Sequence, residues 1–214
     1  MNTVTALLLV LAGYLAGSIP FGYWLVRLAR GQDIRRLGSG NIGGTNVWRC
    51  FGARLGLPVV LFDVLKGFVP ALVASLTHGS LVAVLTGAAA MLGHWRPLFM
   101  RFRRGGKMVA TCGGALIGIA PLVAAVGLAV WLLVFLVGRY ASLASILAAI
   151  SLAPAALLLG QDLSVVIFVG LAALAIIWLH HANIGRLARG EEHRFQLWHR
   201  RWRRAVGSAQ AHTR

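Results

Sequence analysis

Seven apolar segments, separated by short connections, constrain this chain more than any other feature of its sequence. A helix needs about 20 apolar residues to cross a bilayer. The segments lie near residues 4–26, 56–77, 80–98, 108–120, 121–138, 141–160 and 163–180. Only 12% of the 214 residues are charged, about half the share in soluble domains. The sequence therefore predicts an all-α integral membrane protein, a bundle of seven transmembrane helices, and excludes a soluble enzyme or a disordered chain.

The fourth segment is short and rich in glycine, so we expect a half-length or tilted helix that ends at Pro121. Pro154 lies inside the sixth segment, where it predicts a kink that neighbouring helices accommodate. Glycine and alanine recur in the segments and suit close helix packing in a membrane. We expect a single transmembrane domain, residues 1–190, followed by a basic cytoplasmic tail, residues 191–214.

The basic residues predict which side of the membrane each connection faces. They are concentrated in residues 27–54, 96–107, 139 and 186–214. The connections near 78–80, 120–121 and 161–162 contain no lysine or arginine. With seven spans, all the basic groups lie on one side, which the positive-inside rule assigns to the cytoplasm. We therefore expect the N-terminus outside and the C-terminus in the cytoplasm.

The connection after the first segment reads Gly38-Ser-Gly-Asn-Ile-Gly-Gly-Thr-Asn46. Glycine lets successive backbone N–H groups turn toward an anion, and hydroxyl and amide side chains add donors. Arg49 follows as a forked cation, and the Gly-Lys-Ser/Thr of a nucleotide P-loop is absent. The run predicts an anion-binding loop, with a flexible connection as the alternative.

A second glycine pair precedes a lysine in Arg103-Arg-Gly-Gly-Lys-Met-Val-Ala-Thr111, at the predicted start of a helix. A helix N-terminus with Lys107 beside it can bind phosphate, whereas positive-inside anchoring explains the neighbouring arginines. At the predicted cytoplasmic end of the last segment, His180 and Asn183 are three residues apart and share a helix face. Both can donate to an oxyanion, and an interfacial histidine pair is the alternative.

Asp63 and Lys66 lie inside the second segment, where charges are expensive. Their spacing allows an ion pair on one helix face. A neutralised pair that holds helices together and a role in binding are both open. A smaller element, Arg139-Tyr-Ala-Ser-Leu-Ala-Ser145, places an arginine and two hydroxyls on the basic side.

The sequence indicates neither a metal site nor a cofactor. Cys50 and Cys112 match no metal-ligand spacing, and no carboxylate near His180 completes a ligand set. The net charge of +16 is one-sided, so it predicts contact with membrane lipid and not with nucleic acid. Donors gathered at one face of a bilayer predict a substrate with more than one phosphate group. A membrane transporter for a small organic phosphate is the main alternative. A structural membrane protein with a lipid-binding tail around residues 200–204 is another.

Five motifs occur in a characteristic order: Ser39-Gly-Asn-Ile-Gly-Gly-Thr-Asn46, Asp63-x-x-Lys-Gly67, Gly93-His94, Gly105-Gly-Lys107 and His180-x-x-Asn-Ile184. In this order they resemble the bacterial acyl-phosphate:glycerol-3-phosphate acyltransferases, the PlsY family. The resemblance covers about residues 10–190. Met108 stands where the family usually has glycine, and Gly44 where it usually has alanine.

The resemblance implies transfer of a fatty acyl group from acyl phosphate to the 1-hydroxyl of sn-glycerol 3-phosphate. The products would be lysophosphatidic acid and phosphate, in the first acylation step of phospholipid synthesis. It also implies a multi-pass protein of the bacterial inner membrane, with seven helices and an active site facing the cytoplasm. We expect a monomer that needs no cofactor or metal and whose partners are the two substrates and membrane lipid.

The resemblance also implies residue roles. Asn183, His180, Lys107 and Ser39 are expected to be catalytic. The acyl phosphate would bind at Gly40, Asn41, Gly43, Gly44, Thr45, Asn46, Gly105 and Gly106. Glycerol 3-phosphate would bind at Arg49, Lys66, Lys107, Ser142, Ser145 and His180.

The chain lacks the His-x4-Asp pattern of many acyltransferases that use acyl-CoA or acyl carrier protein. An acyl phosphate is already activated, and its leaving phosphate can accept the proton of the attacking hydroxyl. We therefore expect substrate-assisted transfer, in which the protein supplies positioning and donors for developing negative charge.

Overall fold

The computed structural model describes residues 2–195, and all of its regular structure is helical. Ten α-helices follow in chain order: α1 (Thr3–Gly17), α2 (Phe21–Arg30), α3 (Gly44–Phe51), α4 (Ala53–His78), α5 (Ser80–Trp95), α6 (Val109–Ile119), α7 (Pro121–Gly138), α8 (Ala141–Leu158), α9 (Leu163–Leu179) and α10 (His181–Ala188). The predicted all-α class is confirmed for this part of the chain. The predicted lipid-binding segment around residues 200–204 lies outside the described residues.

Proline explains two of the helix boundaries. The first apolar segment is divided into α1 and α2 just before Phe21, because Pro20 has no N–H to continue the helix. Pro121 is the first residue of α7, and Ala120 alone separates it from the end of α6 at Ile119, close to the predicted boundary. Pro154 lies inside α8 without interrupting it.

Only some of the apolar helices are long enough to cross a bilayer by themselves. Within the described residues, four segments qualify by length and composition: Thr3–Arg30, Ala53–His78, Pro121–Gly138 and Ala141–Leu158. Helices α9 and α10 meet at 59° and together form a fifth candidate. The 16 residues of α5 and the 11 of α6 extend over roughly 24 and 16 Å, less than the roughly 30 Å hydrocarbon core. The seven-span count therefore stays a prediction. The short helix predicted for the glycine-rich fourth segment is α6, with 11 residues.

Helix α4 packs against α1, α3, α5 and α6, and small residues bring the helices close together. Gly67 of α4 lies against the carbonyl of Thr111 in α6, and Gly114 of α6 lies against the carbonyl of Val64 in α4. A methyl group at either glycine would overlap those carbonyl oxygens. Without a strong hydrophobic force between helices in lipid, such close packing stabilises the bundle.

Contacts across the bundle place the connections at two ends. The Ser80 hydroxyl donates to the carboxylate of Asp162, which joins the start of α5 to the start of α9. At the other end, Lys107 contacts Asn183, and the Phe195 N–H donates to the Arg139 carbonyl at 2.7 Å. Three of the predicted basic regions, those that contain Lys107, Arg139 and Arg186, therefore lie at that second end.

The neighbouring glycines of α6 provide a matched test of this packing. We expect Gly114→Ala to destabilise the protein by about 1–3 kcal/mol because the methyl group overpacks the interface with α4. Gly113→Ala adds the same methyl group where no atom lies within 4 Å, so it should cause no loss. Thermal unfolding in detergent measures both, and equal midpoints would contradict the packing argument.

Candidate active site

The side chain of Asn46 organises the glycine-rich loop at 38–46. Asn46 lies in α3 and is buried. Its Oδ1 accepts the N–H of Ser39 at 3.0 Å. Its Nδ2 donates to the carbonyls of Leu37 at 3.0 Å and Asn41 at 2.8 Å. Because this amide already makes three hydrogen bonds within the loop, Asn46 shapes the loop and retains little capacity for a ligand.

The rest of the loop divides into residues that build it and residues that face outward. The Asn41 Oδ1 accepts the N–H of Gly43 at 2.7 Å, a local turn typical of asparagine. Gly44 is buried and lies against Val60 of α4, where a side chain would overlap. Ser39 and Thr45 are exposed. The hydroxyls of Thr45, predicted to bind acyl phosphate, and Ser39, predicted to be catalytic, are therefore the loop side chains best placed to meet a ligand.

The second glycine motif ends the loop after α5 and brings the chain back alongside the last residues of that helix; we call residues 105–107 the glycine turn. The Gly105 N–H donates to the Trp95 carbonyl at 2.8 Å, and the Gly106 N–H donates to the His94 carbonyl at 2.9 Å. Both N–H groups therefore serve the turn and do not face a ligand, so their predicted contact with acyl phosphate gains no support from the backbone. Met108 follows with φ of 68°, the left-handed conformation that glycine adopts most easily.

The turn directs Lys107 toward the last helices of the bundle. Its Nζ donates a short hydrogen bond to the Oδ1 of Asn183. The 59° bend between α9 and α10 places Asn183 and Arg186, one turn apart, at this end of the bundle. We call Arg49, Lys107, Ser142, His180, Asn183, Arg186 and Glu192 the polar cluster.

Glu192 connects the members of the polar cluster. Its Oε1 accepts hydrogen bonds from Ser142 Oγ and Asn183 Nδ2, both at 2.7 Å. Its Oε2 accepts from Arg186 Nε at 2.7 Å. Burial acts to raise the pKa of Glu192, but these hydrogen bonds outweigh it and hold the pKa below its usual value. The carboxylate is therefore ionised, and both of its oxygens accept hydrogen bonds.

Positive charge exceeds negative charge in this cluster. Arg49, Lys107 and Arg186 each interact electrostatically with Glu192. Burial, followed by the nearby arginines, lowers the pKa of Lys107 to about 8 despite the attraction of Glu192. Arg49 contributes a buried Nε without a hydrogen-bond partner among the described residues. Three cations around one carboxylate form a site that favours a further anion.

His180 has a defined ring orientation at the junction of α9 and α10. Its Nδ1 lies 2.8 Å from the carbonyl of Ile176, and a carbonyl oxygen can only accept, so Nδ1 carries a proton. The neutral ring then has an acceptor at Nε2. His180 is 4% exposed and interacts electrostatically with Lys107 and Glu192. Neutral His180 is thus better suited to accept from a hydroxyl than to donate to a phosphate.

Two residues predicted to bind glycerol 3-phosphate are engaged elsewhere. The Ser145 Oγ donates to the Ala141 carbonyl at 2.7 Å and accepts from Trp131 Nε1 at 3.2 Å, which joins α8 to α7. The Lys66 Nζ lies 2.7 Å from Asp63 Oδ1 and donates to the Ile19 carbonyl at 3.1 Å. Both side chains therefore stabilise helix contacts. For the Asp63–Lys66 pair, the structure favours the ion-pair interpretation.

Sequence reasoning missed Glu192, Arg186 and Phe195 as parts of this site. Glu192 and Phe195 belong to the segment grouped with the tail, yet Phe195 is buried and its ring contacts Trp48 and Phe135. The scarcity of acidic residues, five in the chain, was the available signal, because a carboxylate beside a cationic motif stands out. No group of three or more metal-ligating side chains occurs among the described residues.

Comparisons with known proteins agree on one family. The family model for glycerol-3-phosphate acyltransferase matches residues 7–190. A glycerol-3-phosphate acyltransferase of Desulforamulus reducens is 44% identical over 193 residues, covering 90% of this chain and 96% of the relative.

Two solved structures also superpose on the chain. The glycerol 3-phosphate form of PlsY (YgiH), an integral membrane glycerol 3-phosphate acyltransferase, is 45% identical with a TM-score of 0.86 and covers 90% of this chain and 96% of its own. The lysphosphatidic acid form is 43% identical with a TM-score of 0.82 and the same coverage. The chain is a member of the glycerol-3-phosphate acyltransferase family and shares its integral membrane fold.

Proposed function

We propose that this protein transfers a fatty acyl group from acyl phosphate to the 1-hydroxyl of sn-glycerol 3-phosphate. The observation that carries this proposal is the polar cluster, where Arg49, Lys107 and Arg186 surround a site that favours an anion. A solved relative was obtained in a glycerol 3-phosphate form and in a lysphosphatidic acid form, which names an acceptor and a product for this chemistry.

The phosphate of glycerol 3-phosphate binds at Arg49 and Lys107, whereas Ser142, predicted as a further ligand, gives its only hydroxyl proton to Glu192. Arg49 has an unpartnered buried Nε to donate, and Lys107 can exchange its contact with Asn183 for a phosphate oxygen. The acceptor Nε2 of His180 takes a hydrogen bond from the 2-hydroxyl of glycerol 3-phosphate, which orients the acceptor and leaves the proton of the 1-hydroxyl for the departing phosphate. Asn183, between Lys107 and Glu192, donates toward the developing negative charge.

The acyl phosphate binds at the loop 38–46 with its chain in the membrane. Ser39 and Thr45 present exposed hydroxyls there, and the first turn of α3 adds backbone N–H groups. Arg49 lies one turn along the same helix from Thr45, so it links the donor site to the acceptor site.

The reaction needs no protein base. The acceptor hydroxyl forms a bond to the acyl carbon, the bond from that carbon to the phosphate oxygen breaks, and the departing phosphate takes the hydroxyl proton. Glu192 is a poor base because both carboxylate oxygens accept hydrogen bonds and its pKa is lowered even though burial opposes this. The protein contributes positioning and charge stabilisation.

The membrane arrangement belongs to the same proposal. Seven spans put the N-terminus outside and the C-terminus in the cytoplasm of a bacterial inner membrane, with the polar cluster on the cytoplasmic side. Residues 1–190 form the transmembrane domain, residues 191–214 form the basic tail, and the protein acts as a monomer without cofactor. A transporter for an organic phosphate would need anion-binding groups near mid-membrane, whereas Lys66 there is committed to Asp63.

A defined assay tests the function. Purified protein with palmitoyl phosphate and glycerol 3-phosphate should form lysophosphatidic acid without coenzyme A, scored by radiolabel from the acceptor. Palmitoyl-CoA replaces palmitoyl phosphate in the control and should give no product. Absence of product from palmitoyl phosphate, beside an active reference enzyme, would reject the proposal.

Removing the amide of Asn183 should affect turnover more than binding. We expect Asn183→Ala to lower kcat by about 100-fold or more, in the range measured for loss of one donor to a developing oxyanion, with a small change in KM. Arg189→Gln is the control, because Arg189 is exposed and pairs only with exposed Glu191 among the described acidic residues. Near-normal turnover of Asn183→Ala would contradict the assigned role.

The pKa of Lys107 predicts how the activity depends on pH. Its pKa is lowered to about 8, with burial as the main cause, so the free enzyme loses this cation as the pH rises through that value. We expect kcat/KM for glycerol 3-phosphate to fall above pH 8 or so, because kcat/KM reports ionisations of the free enzyme. Lys107→Arg should shift this fall to higher pH, since guanidinium stays charged. An unshifted profile would assign the ionisation to another group.

A further inference from the structure

Three ionisable side chains lie together in the interior, behind the glycine turn. Asp63 and Lys66 belong to α4, His94 belongs to α5, and the three residues are 2%, 5% and 3% exposed. The Lys66 Nζ lies 2.7 Å from Asp63 Oδ1, and the His94 Nδ1 lies 3.6 Å from the same oxygen. The mechanism described above uses none of them.

Stability alone does not explain this group. Desolvation offsets much of the attraction in a buried ion pair, and apolar residues of similar volume often replace such a pair without loss. The Nδ1 of His94 also has no hydrogen-bond partner among the described residues, which adds to the free-energy cost of burying these three side chains. Its placement therefore points to a role in holding geometry.

His94 is the member that touches the glycine turn. Its carbonyl accepts the Gly106 N–H at 2.9 Å, and its imidazole edge, at Nε2 and Cε1, lies directly against the Cα of Gly106. A side chain at Gly106 would overlap this ring. The next residue is Lys107, whose ammonium contacts Asn183.

We propose that Asp63, Lys66 and His94 are positioning residues. They fix where the glycine turn lies relative to α5, and so how far the Lys107 ammonium extends into the phosphate site. Lys66, held by the Ile19 carbonyl, orients Asp63; Asp63 faces His94; and the His94 ring supports Gly106. A displacement of about 1 Å in a positioning group can lower activity roughly 100-fold. The inference rests on the proposed binding of glycerol 3-phosphate by Lys107.

A double-mutant cycle tests the contact on which the proposal depends. Gly106→Ala should raise KM for glycerol 3-phosphate at least 10-fold or so, because the methyl group and the ring displace each other. His94→Ala should raise KM by a similar factor because the turn loses its support. In the double variant the methyl group occupies space vacated by the ring, so the two effects should be far from multiplicative. Gly113→Ala, where no atom lies within 4 Å, is the matched control and should keep the wild-type KM.

A conservative series separates positioning from bundle stability. His94→Gln keeps a polar side chain beside Asp63, so its KM should lie between that of wild type and that of His94→Ala. The glutamine variant also keeps the test usable if His94→Ala does not fold. Lys66→Met should raise KM with kcat less affected. Multiplicative KM effects in the cycle, or lowered thermal midpoints with an unchanged KM, would overturn the proposal.

Calorimetric titration with glycerol 3-phosphate alone gives a readout that is independent of the acyl donor. If wild type binds glycerol 3-phosphate but forms no lysophosphatidic acid, the proposed function fails and the coupling between His94 and Gly106 can still be measured in Kd. If wild type is active and the cycle shows no coupling in either KM or Kd, the positioning inference alone fails.

Discussion

The hydrogen bond from Lys107 to Asn183 joins parts of the chain that are 76 residues apart. It requires the turn after α5 to direct Lys107 inward and the bend between α9 and α10 to bring Asn183 to the same place. Glu192 extends the contact to Ser142 and Arg186. Four regions of the chain therefore converge on one polar cluster at one end of an otherwise apolar bundle.

This convergence depends on helix packing that the apolar segments alone do not specify. Glycines allow α4 and α6 to approach within backbone contact, so the short α6 can be held firmly although it is too short to cross a bilayer alone. The turn before α6 then lies against the end of α5, with the buried Asp63–Lys66 pair behind it. The position of the cationic site therefore depends on the same contacts that hold the bundle together.

Several features were predictable because they depend on local chemistry. The all-α class follows from the apolar segments, and the end of α6 follows from Pro121. Lys107, His180, Asn183 and the neighbouring cations were predicted to act together because their residue types share one requirement, an anion at a basic face. The comparisons confirm the resemblance to glycerol-3-phosphate acyltransferases on which residue roles were assigned.

Other features depend on contacts between distant residues. Ser145 and Lys66 have the chemistry of phosphate ligands, yet Trp131 and Asp63 engage them. The side-chain amide of Asn46 and the backbone N–H groups of Gly105 and Gly106 donate to carbonyl groups of the protein itself. Glu192 could not be placed, because its role depends on a segment that returns to the bundle through the burial of Phe195.

The sequence by itself determined that the chain is an apolar helical bundle with a cationic end, because hydropathy and charge are properties of residue types and their spacing. Only the tertiary structure decided which donors face the site and which are used for packing. Each N–H or O–H group has one proton to donate, and its partner is known only once distant helices have met.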